Sequence, residues 1–324
     1  MVRQIPWFQM KDYMDNNKKK SRVALLSVAS NSSLVAMKLA IGILINSVSV
    51  ISEAIHSAVD LVAALIAFFA VRTSAKPEDR RHAFGHGKIE NISGTIEAVL
   101  IFFAAGWIIY EAVEKLKNPQ HLEQAGWGII VMSASVAANF FVSHMLFKVG
   151  TETESIALKA DAWHLRTDVW TSFGVMAGLA IYWSGRLLFP HINLSWIDPV
   201  AAIIVALLII KAAYDLTRES VRDLLDARLT REDEDLIDRY VTEQHPRVLS
   251  YHKLRTRKSG SQRFYEFHLV VAPEMSVQES HEIGDRIVAR VKEHYPDAKV
   301  VIHVEPCDNT CTEECLGNCG KIEE

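Results

Sequence analysis

The chain has 324 residues, of which 49% are hydrophobic and 23% are charged, and its formal net charge is only -4. This balance, with no basic patch interleaved with aromatic residues, argues against a nucleic-acid partner. All four cysteines lie in the last 18 residues, a distribution that argues against the disulfide framework of a secreted fold.

Apolar stretches dominate the first two thirds of the chain. Residues 1–22 form a polar, Lys-rich arm without the features of a signal peptide. Each apolar stretch that follows is long enough to cross a bilayer. We therefore predict a bundle of six transmembrane helices over residues 23–217, with spans at 23–45, 48–71, 89–113, 126–147, 160–184 and 197–216.

The distribution of Lys and Arg predicts the orientation of these spans. The arm carries six basic residues and the connection between the second and third spans carries five, whereas the connections on the other side carry none, two and one. Basic loops favour the cytoplasmic side. We therefore expect a multi-pass protein of a prokaryotic inner (plasma) membrane, with both termini in the cytoplasm.

Two helical segments repeat a His-xxx-Asp pattern, as His56 with Asp60 in the second span and His164 with Asp168 in the fifth. Residues four apart lie on one helix face. An ionisable residue near the bilayer midplane costs roughly 2.5 to 3.5 kcal/mol on insertion scales, so four of them favour a shared cation. For one pair alone, a helix–helix hydrogen bond is an equal alternative. Two matching pairs predict one four-ligand site for Zn²⁺, although Mn²⁺, Fe²⁺ or Co²⁺ fits the same ligands.

Other spans also contain polar residues, including Asn31, Asn91, Glu97 and Asn139. Such residues are poor choices for a lipid-facing surface. We expect them to face the interior of the bundle or a watery cavity.

The connection between the second and third spans contains Asp79, His82 and His86 within eight residues. Three nitrogen or oxygen ligands at this spacing suit one labile Zn²⁺ with water as the fourth ligand. A basic loop that meets lipid headgroups explains the same residues equally well. The sequence alone leaves both readings open.

From residue 218 onward the chain is charged and is typical of a small domain outside the membrane. A helix should begin after Thr230 as N-cap, and Lys258 to Ser261 should form the turn of a β-hairpin. We predict an α+β domain of αββαβ pattern over residues 218–306, with helices at 230–244 and 276–294 and strands at 249–257, 262–272 and 298–304.

Histidines recur in this second domain. His252 and His268 lie on the two hairpin strands, His281 lies on the next helix, and His303 and Glu305 lie at the end of the last strand. Scattered histidines are more often surface or core residues than ligands. The tail at 307–324 spaces Cys307, Cys311, Cys315 and Cys319 in C-x3-C steps, which suit a flexible metal scavenger or a plain disordered tail equally.

Taken together, these motifs resemble the cation diffusion facilitator family over nearly the whole chain. The segments that carry the resemblance are Ser52 to Asp60, His82 to Lys88, Ala160 to Asp168, Leu254 to Gly260 and Ile302 to Pro306. The resemblance implies a homodimeric exporter that exchanges cytoplasmic Zn²⁺, or a similar divalent ion, for protons. Family members often have Asp where this chain has His56, and the all His–Asp arrangement resembles the more zinc-selective branch.

The resemblance also assigns ligands. It implies a transport site at His56, Asp60, His164 and Asp168, and a loop site at Asp79, His82 and His86. A pair of zinc ions at the dimer interface of the cytoplasmic domain is implied for His252, His268, His281, His303 and Glu305. It further implies that Lys88 and Asp226 pair near the membrane surface and hold the dimer.

Two other classes of protein compete with a transporter. An intramembrane metalloenzyme would also use His and Asp ligands, but the chain lacks an H-E-x-x-H motif. A membrane-bound metal sensor would bind metal and transport nothing. We expect a secondary active transporter in contact with membrane lipid, not an enzyme, with Zn²⁺ as substrate and as regulatory ion.

Overall fold

Six long helices follow one another in the first two thirds of the chain. The structure, a computed structural model, describes residues 7–44, 48–117, 126–188 and 196–307. All six predicted helices are present. They are α1 (Trp7–Leu44), α2 (Val48–Ser74), α3 (Lys88–Lys117), α4 (Gly126–Glu152), α5 (Ile156–Leu188) and α6 (Ile197–Leu224).

The start of α1 differs from the sequence-based prediction. Residues 7–22, predicted to be part of a separate polar arm, belong to the same helix as the first apolar stretch. No Gly or Pro occurs between Trp7 and Ile41, so nothing in the sequence interrupts helical hydrogen bonding there. Polarity predicts where a helix leaves the membrane, but it does not predict where the helix begins.

The described part of the chain divides into two compact units, one of residues 16–221 and one that includes residues 222–307. We call them the helical unit and the C-terminal unit. Within the described residues, four helical segments are long and apolar enough to cross a membrane. They are Asp15–Leu44, Ala54–Ser74, Lys88–Glu114 and Pro199–Leu224.

Small residues allow the helices of the helical unit to pack closely. Ala63 and Ala67 of α2 and Ala157 and Ala160 of α5 are completely buried. Gly94 of α3 is needed for the same reason, because a Cβ atom there would lie 2.6 Å from a methyl group of Ile156. Small side chains let neighbouring backbones approach, which is how membrane helices gain packing energy. Helix α5 packs against α2, α3 and α4 and is central to this unit.

One buried carboxylate connects several helices. Glu90, near the start of α3, accepts hydrogen bonds from Lys20 Nζ of α1 at 3.2 Å and from Ser74 Oγ of α2 at 2.7 Å. Its second oxygen accepts a hydrogen bond from Ser155 Oγ, in the turn between α4 and α5. The side chains of Lys20 and Glu90 are 4% and 1% exposed. This ion pair is therefore shielded from water and supported by two hydroxyl groups.

The C-terminal unit has the predicted αββαβ order. Its elements are α7 (Arg231–Thr242), β1 (Val248–Ser259), β2 (Gln262–Val271), α8 (Val277–His294) and β3 (Lys299–Pro306). The strands form one sheet in the order β1-β2-β3, with β1 and β2 antiparallel and β2 and β3 parallel. Ile237 of α7, Phe267 of β2 and Ile283 of α8 are fully buried in a shared core.

Local sequence signals explain the ends of these elements. Thr230 caps α7, as predicted, and accepts a hydrogen bond from the backbone N–H of Asp233. Ser276 and Glu279 form a capping box at the start of α8. The hairpin turns at Gly260, whose φ of 59° is readily adopted by glycine.

Candidate metal centres

The helix centre consists of His56, Asp60, His164 and Asp168. Helix α2 supplies the first two side chains and α5 the other two, so each helix contributes an imidazole and a carboxylate one turn apart. His164 Nε2 lies 3.1 Å from Asp60 Oδ1, and His56 Nε2 lies 3.8 Å from Asp168 Oδ1. Each His thus faces the Asp of the other helix.

Three members of the helix centre can share one ion as they stand. Ligand atoms of His56, Asp60 and Asp168 lie within 4.8 Å of one another. His164 joins them through its contact with Asp60. Two nitrogens and two oxygens form a suitable set for tetrahedral Zn²⁺. This arrangement can hold a divalent cation between two helices.

Exposure differs sharply across the helix centre. The side chains of His164 and Asp60 are 7% and 4% exposed, whereas those of Asp168 and His56 are 20% and 56% exposed. The buried Nδ1 of His164 and Oδ2 of Asp168 have no hydrogen-bond partner among the described residues. The centre therefore has an enclosed side and an accessible side. Two of its buried polar atoms are not engaged in hydrogen bonds with described residues and can serve as metal ligands.

The loop cluster consists of Asp79, His82 and His86, which lie between α2 and α3. Asp79 Oδ1 lies 3.3 Å from His82 Nδ1, and Asp79 Oδ2 lies 3.4 Å from His86 Nε2. The two imidazole rings are 4.3 Å apart between centroids. One ligand atom from each residue fits within 4.8 Å of the others, so the loop brings all three predicted ligands together.

Backbone hydrogen bonds preorganise the loop cluster. The N–H groups of Arg81 and His82 donate to Asp79 Oδ1 at 2.8 and 2.7 Å. These bonds lower the pKa of Asp79, which keeps its carboxylate ionised. Gly85, with a φ of 80°, provides the turn that returns the chain to His86.

The strand cluster consists of His252, His268, His303 and Glu305, on the three strands of the sheet. Strand register places His252 opposite His268, and His268 opposite His303. Glu305 then approaches all three imidazoles, at 3.2 Å from His252 Nε2, 2.7 Å from His268 Nδ1 and 3.5 Å from His303 Nε2. One carboxylate therefore gathers three potential nitrogen ligands.

The electrostatics of the strand cluster favour an ionised carboxylate. Partial burial raises the pKa of Glu305, but the hydrogen bond from His268 and the nearby His charges outweigh it, so the net pKa is lowered. His252 is followed by Lys253, which has a φ of 52° at a bulge in β1. Bulges commonly redirect a side chain at the edge of a site.

His281 does not join the strand cluster within one subunit. It lies on α8 with a side chain that is 77% exposed, and its nearest carboxylate is Asp285, at 3.9 Å. Asp226, which the resemblance pairs with Lys88, lies 3.5 Å from Arg257 Nη1. The pairing of Lys88 with Asp226 stays a prediction. In the Cys tail, Cys311, Cys315 and Cys319 lie outside the described residues.

Asp161 lies within the segment Ala160 to Asp168, but its residue type and spacing alone predicted no role for it. Asp161 is fully buried on α5, one turn before His164. Its position three residues before a ligand was the available signal, because residues three apart share a helix face. Its neighbour Glu97, on α3, could not be paired with it from the sequence.

Comparison with known proteins covers both units. Residues 24–225 match the family described as the cation efflux transmembrane domain, and residues 229–307 match the cytoplasmic domain of cation efflux proteins. The chain is 35% identical over 286 residues to an uncharacterized transporter of Synechocystis sp., covering 88% of this chain and 90% of the relative. It is 31% identical to the cation-efflux pump FieF of Shewanella oneidensis, covering 86% and 92%.

A solved structure also resembles the C-terminal unit in sequence. The metal-bound C-terminal domain of the CzcD transporter from Thermotoga maritima is 31% identical to this chain. The match covers 26% of this chain and all of that domain, with a TM-score of 0.23.

Proposed function

The chain belongs to the cation efflux family, and from this membership we propose that it exports Zn²⁺ from the cytoplasm in exchange for protons. It is a membrane transporter of divalent metal cations and not an enzyme. The helix centre is the observation that carries the zinc assignment. Ligand atoms of one imidazole and two carboxylates lie within 4.8 Å of one another, and a second imidazole, that of His164, contacts Asp60. Imidazole suits Zn²⁺ better than it suits Mn²⁺.

Ligand chemistry supports proton exchange. An imidazole must be neutral and a carboxylate must be ionised to bind a metal, so protons and the cation compete for the same atoms. A site that loads Zn²⁺ on the cytoplasmic side and protons on the opposite side moves the two in opposite directions. His56 and Asp168, the more exposed members, are the proposed entry to this site.

We further propose that the strand cluster is regulatory. Its three imidazoles and Glu305 suit zinc, and the partial exposure of the cluster lets it equilibrate with the surrounding solution. His281 is exposed, and Asp285 is its ion-pair partner among the residues that the structure describes. We assign it to a site shared between two copies in a homodimer, so that metal binding draws the two C-terminal units together.

The remaining assignments follow from these roles. The loop cluster is a second cytoplasmic zinc site, placed where the ion approaches the membrane. Residues 23–217 are the transport domain, residues 218–306 are the regulatory domain, and both termini are cytoplasmic. Two alternatives remain distinct from this proposal. The protein would export Mn²⁺ or Fe²⁺ instead of Zn²⁺, or it would sense metal without transporting it.

The test is metal flux through the purified protein in vesicles with a set pH gradient. We expect Zn²⁺ entry to be accompanied by proton movement in the opposite direction. Asp60→Ala and Asp168→Ala should reduce both fluxes to the level of protein-free vesicles, while Glu152→Gln, an exposed acid of α4, should not. Faster flux of Mn²⁺ or Fe²⁺ than of Zn²⁺ would overturn the zinc assignment. Metal binding without flux would instead indicate a sensor.

A further inference from the structure

The helical unit buries two acidic side chains that the transport site does not use. Glu97 lies on α3 and Asp161 lies on α5, and both are 0% exposed. The two helices pack against each other around Ala98 and Ala160, the neighbours of these acids in sequence. The carboxylates are close enough to act on each other electrostatically. They form a buried acid pair.

The acid pair has far fewer hydrogen bonds than its four oxygens can accept. Ser93 Oγ donates to Glu97 Oε1 at 3.1 Å. The other Glu97 oxygen and both Asp161 oxygens have no hydrogen-bond partner among the described residues. Neither acid forms an ion pair with a described Lys or Arg. The fully buried hydroxyl of Ser27, on α1, faces the Asp161 carboxylate and is itself unpartnered within 3.5 Å.

This environment cannot accommodate two negative charges. An unpaired buried carboxylate is destabilising, and two neighbouring carboxylates also repel each other. Burial and like charge both favour a state in which one of the two acids carries a proton. The alternative occupant, a metal ion, is less favoured because, among the described residues, neither acid belongs to a group of three or more ligand atoms that lie within 4.8 Å of one another.

The acid pair is also electrostatically linked to the helix centre. Asp161 lies one helical turn before His164, and the groups that act on it include His164 of α5 and Asp60 of α2. Helix α6 presents the apolar side chains Ile209 and Ala213 to the packed surface of α3 and α5. Because Asp161, His164 and Asp60 are all buried, water screens the interaction between these groups only weakly.

From this arrangement we propose that Glu97 and Asp161 form an internal proton-binding site, which releases a proton when a divalent cation binds to the helix centre. The O–H bond of the protonated carboxylic acid breaks, the electron pair stays on the carboxylate, and the proton leaves to solvent. The added negative charge compensates the positive charge of the cation. The inference deepens the proposed function, on which it rests, by adding a proton carrier outside the metal ligands.

Proton counting during metal binding tests the proposal without measuring transport. Calorimetric titration of the full-length protein with Zn²⁺, in buffers of different ionisation enthalpy, gives the number of protons released per subunit. We expect Glu97→Gln and Asp161→Asn to bind as many zinc ions as the wild type but to release about one proton fewer per subunit. Glu152→Gln, the same type of change at an exposed acid of α4, should release as many as the wild type.

Two results would overturn the proposal. Unchanged proton release in both variants would show that the pair carries no exchangeable proton. A loss of one bound zinc per subunit in both variants would show that the pair is a metal site instead.

A measurement on the wild type covers the case in which the variants do not fold. Infrared difference spectra recorded on zinc addition should lose the carbonyl stretch of a protonated carboxylic acid, a band that ionised carboxylates lack. Absence of that loss would contradict the proposal. These outcomes are separable from failure of the proposed function, because a protein that binds zinc without transporting it still gives a proton count and a spectrum.

Discussion

The two units of this protein treat buried polar side chains differently. In the helical unit, ten buried side-chain polar atoms of the described residues have no hydrogen-bond partner, including atoms of Glu97, Asp161, His164 and Asp168. In the C-terminal unit, by contrast, the buried Asp233 accepts hydrogen bonds from Arg263 and Thr230. Unsatisfied buried groups cost free energy, whereas satisfied ones add specificity. The helical unit keeps its acids available for ligands, and the C-terminal unit uses its buried acid for stability.

The largest effect we expect is on Asp233. Asp233→Asn should destabilise the C-terminal unit by about 3 kcal/mol, because it leaves the guanidinium of Arg263, whose side chain is 12% exposed, without its charge partner. Denaturant unfolding of residues 222–307 measures this. Glu232→Gln, at an exposed position in the same helix turn, is the control and should change stability by less than about 1 kcal/mol.

The same carboxylate predicts a pH dependence with a definite sign. Burial raises the pKa of Asp233, but hydrogen bonds from Tyr295, Thr230 and Arg263 outweigh it, and the net pKa is lowered. A lowered folded-state pKa contributes stability that is present above the unfolded value of about 4 and is lost as the pH falls below it. Unfolding midpoints of wild type and Asp233→Asn should therefore converge towards acidic pH. Parallel curves would contradict this assignment.

A substitution in the strand cluster should have the next largest effect, on metal binding by the C-terminal unit. Glu305→Gln should weaken metal binding to the C-terminal unit by about tenfold or more, since one carboxylate contacts three histidines. Maximal zinc flux should stay unchanged, and only the zinc concentration that gives half-maximal flux should rise. Competition with a fluorescent chelator measures the binding. Glu266→Gln, exposed on β2, is the control. Loss of maximal flux would mean that this cluster is part of transport itself.

Replacing one residue of the helix centre should change the selectivity between Zn²⁺ and Mn²⁺ by about tenfold. His56→Asp replaces a nitrogen ligand by oxygen, which favours Mn²⁺ over Zn²⁺. Because His56 is the most exposed of the four ligands, this change should disturb packing little. Flux ratios for the two ions measure the shift. His56→Asn, without the added charge, should lose zinc flux and gain no Mn²⁺ flux. An unchanged ratio in His56→Asp would argue against His56 as a ligand.

The smallest effect on stability is expected for Glu97. Replacing this acid by its amide should stabilise the protein, whereas the same replacement at Asp233 should destabilise it. Glu97→Gln removes a poorly hydrogen-bonded buried acid and introduces a donor that faces Asp161. It should stabilise the helical unit by up to about 1 kcal/mol. Thermal unfolding in lipid nanodiscs measures this, with Glu152→Gln as control. Clear destabilisation would remove the contrast between the two units.

Local periodicity predicted much of this molecule. The pairs His56–Asp60 and His164–Asp168 follow from the four-residue spacing of a helix face, and the Thr230 cap and the turn at Gly260 follow from residue chemistry. The order of elements in the C-terminal unit was predicted correctly. All of these depend on residues that are near one another in sequence.

Contacts between distant segments were not predictable in the same way. The row of His252, His268 and His303 depends on the registers of an antiparallel and a parallel strand pair, and a shift of one residue would turn each side chain to the other face. The meeting of Glu97 and Asp161 depends on how α3 packs against α5. The continuous helix through residues 7–44 was not predicted, because the charged residues before residue 23 indicate the edge of the membrane and not the start of the helix.

Glu90, which holds Lys20, Ser74 and Ser155, has a consequence for the movements that carry an ion across a bilayer. Because this one side chain connects three helices and a turn, we expect the helices to move about this point. Helices joined at one end can open by splaying at the other, so we expect the largest displacements of α2 and α5 to occur far from this carboxylate. Glu90→Gln would weaken this connection. We expect both ends of the bundle to open in this variant, so that the proposed exchange of metal for protons becomes leaky.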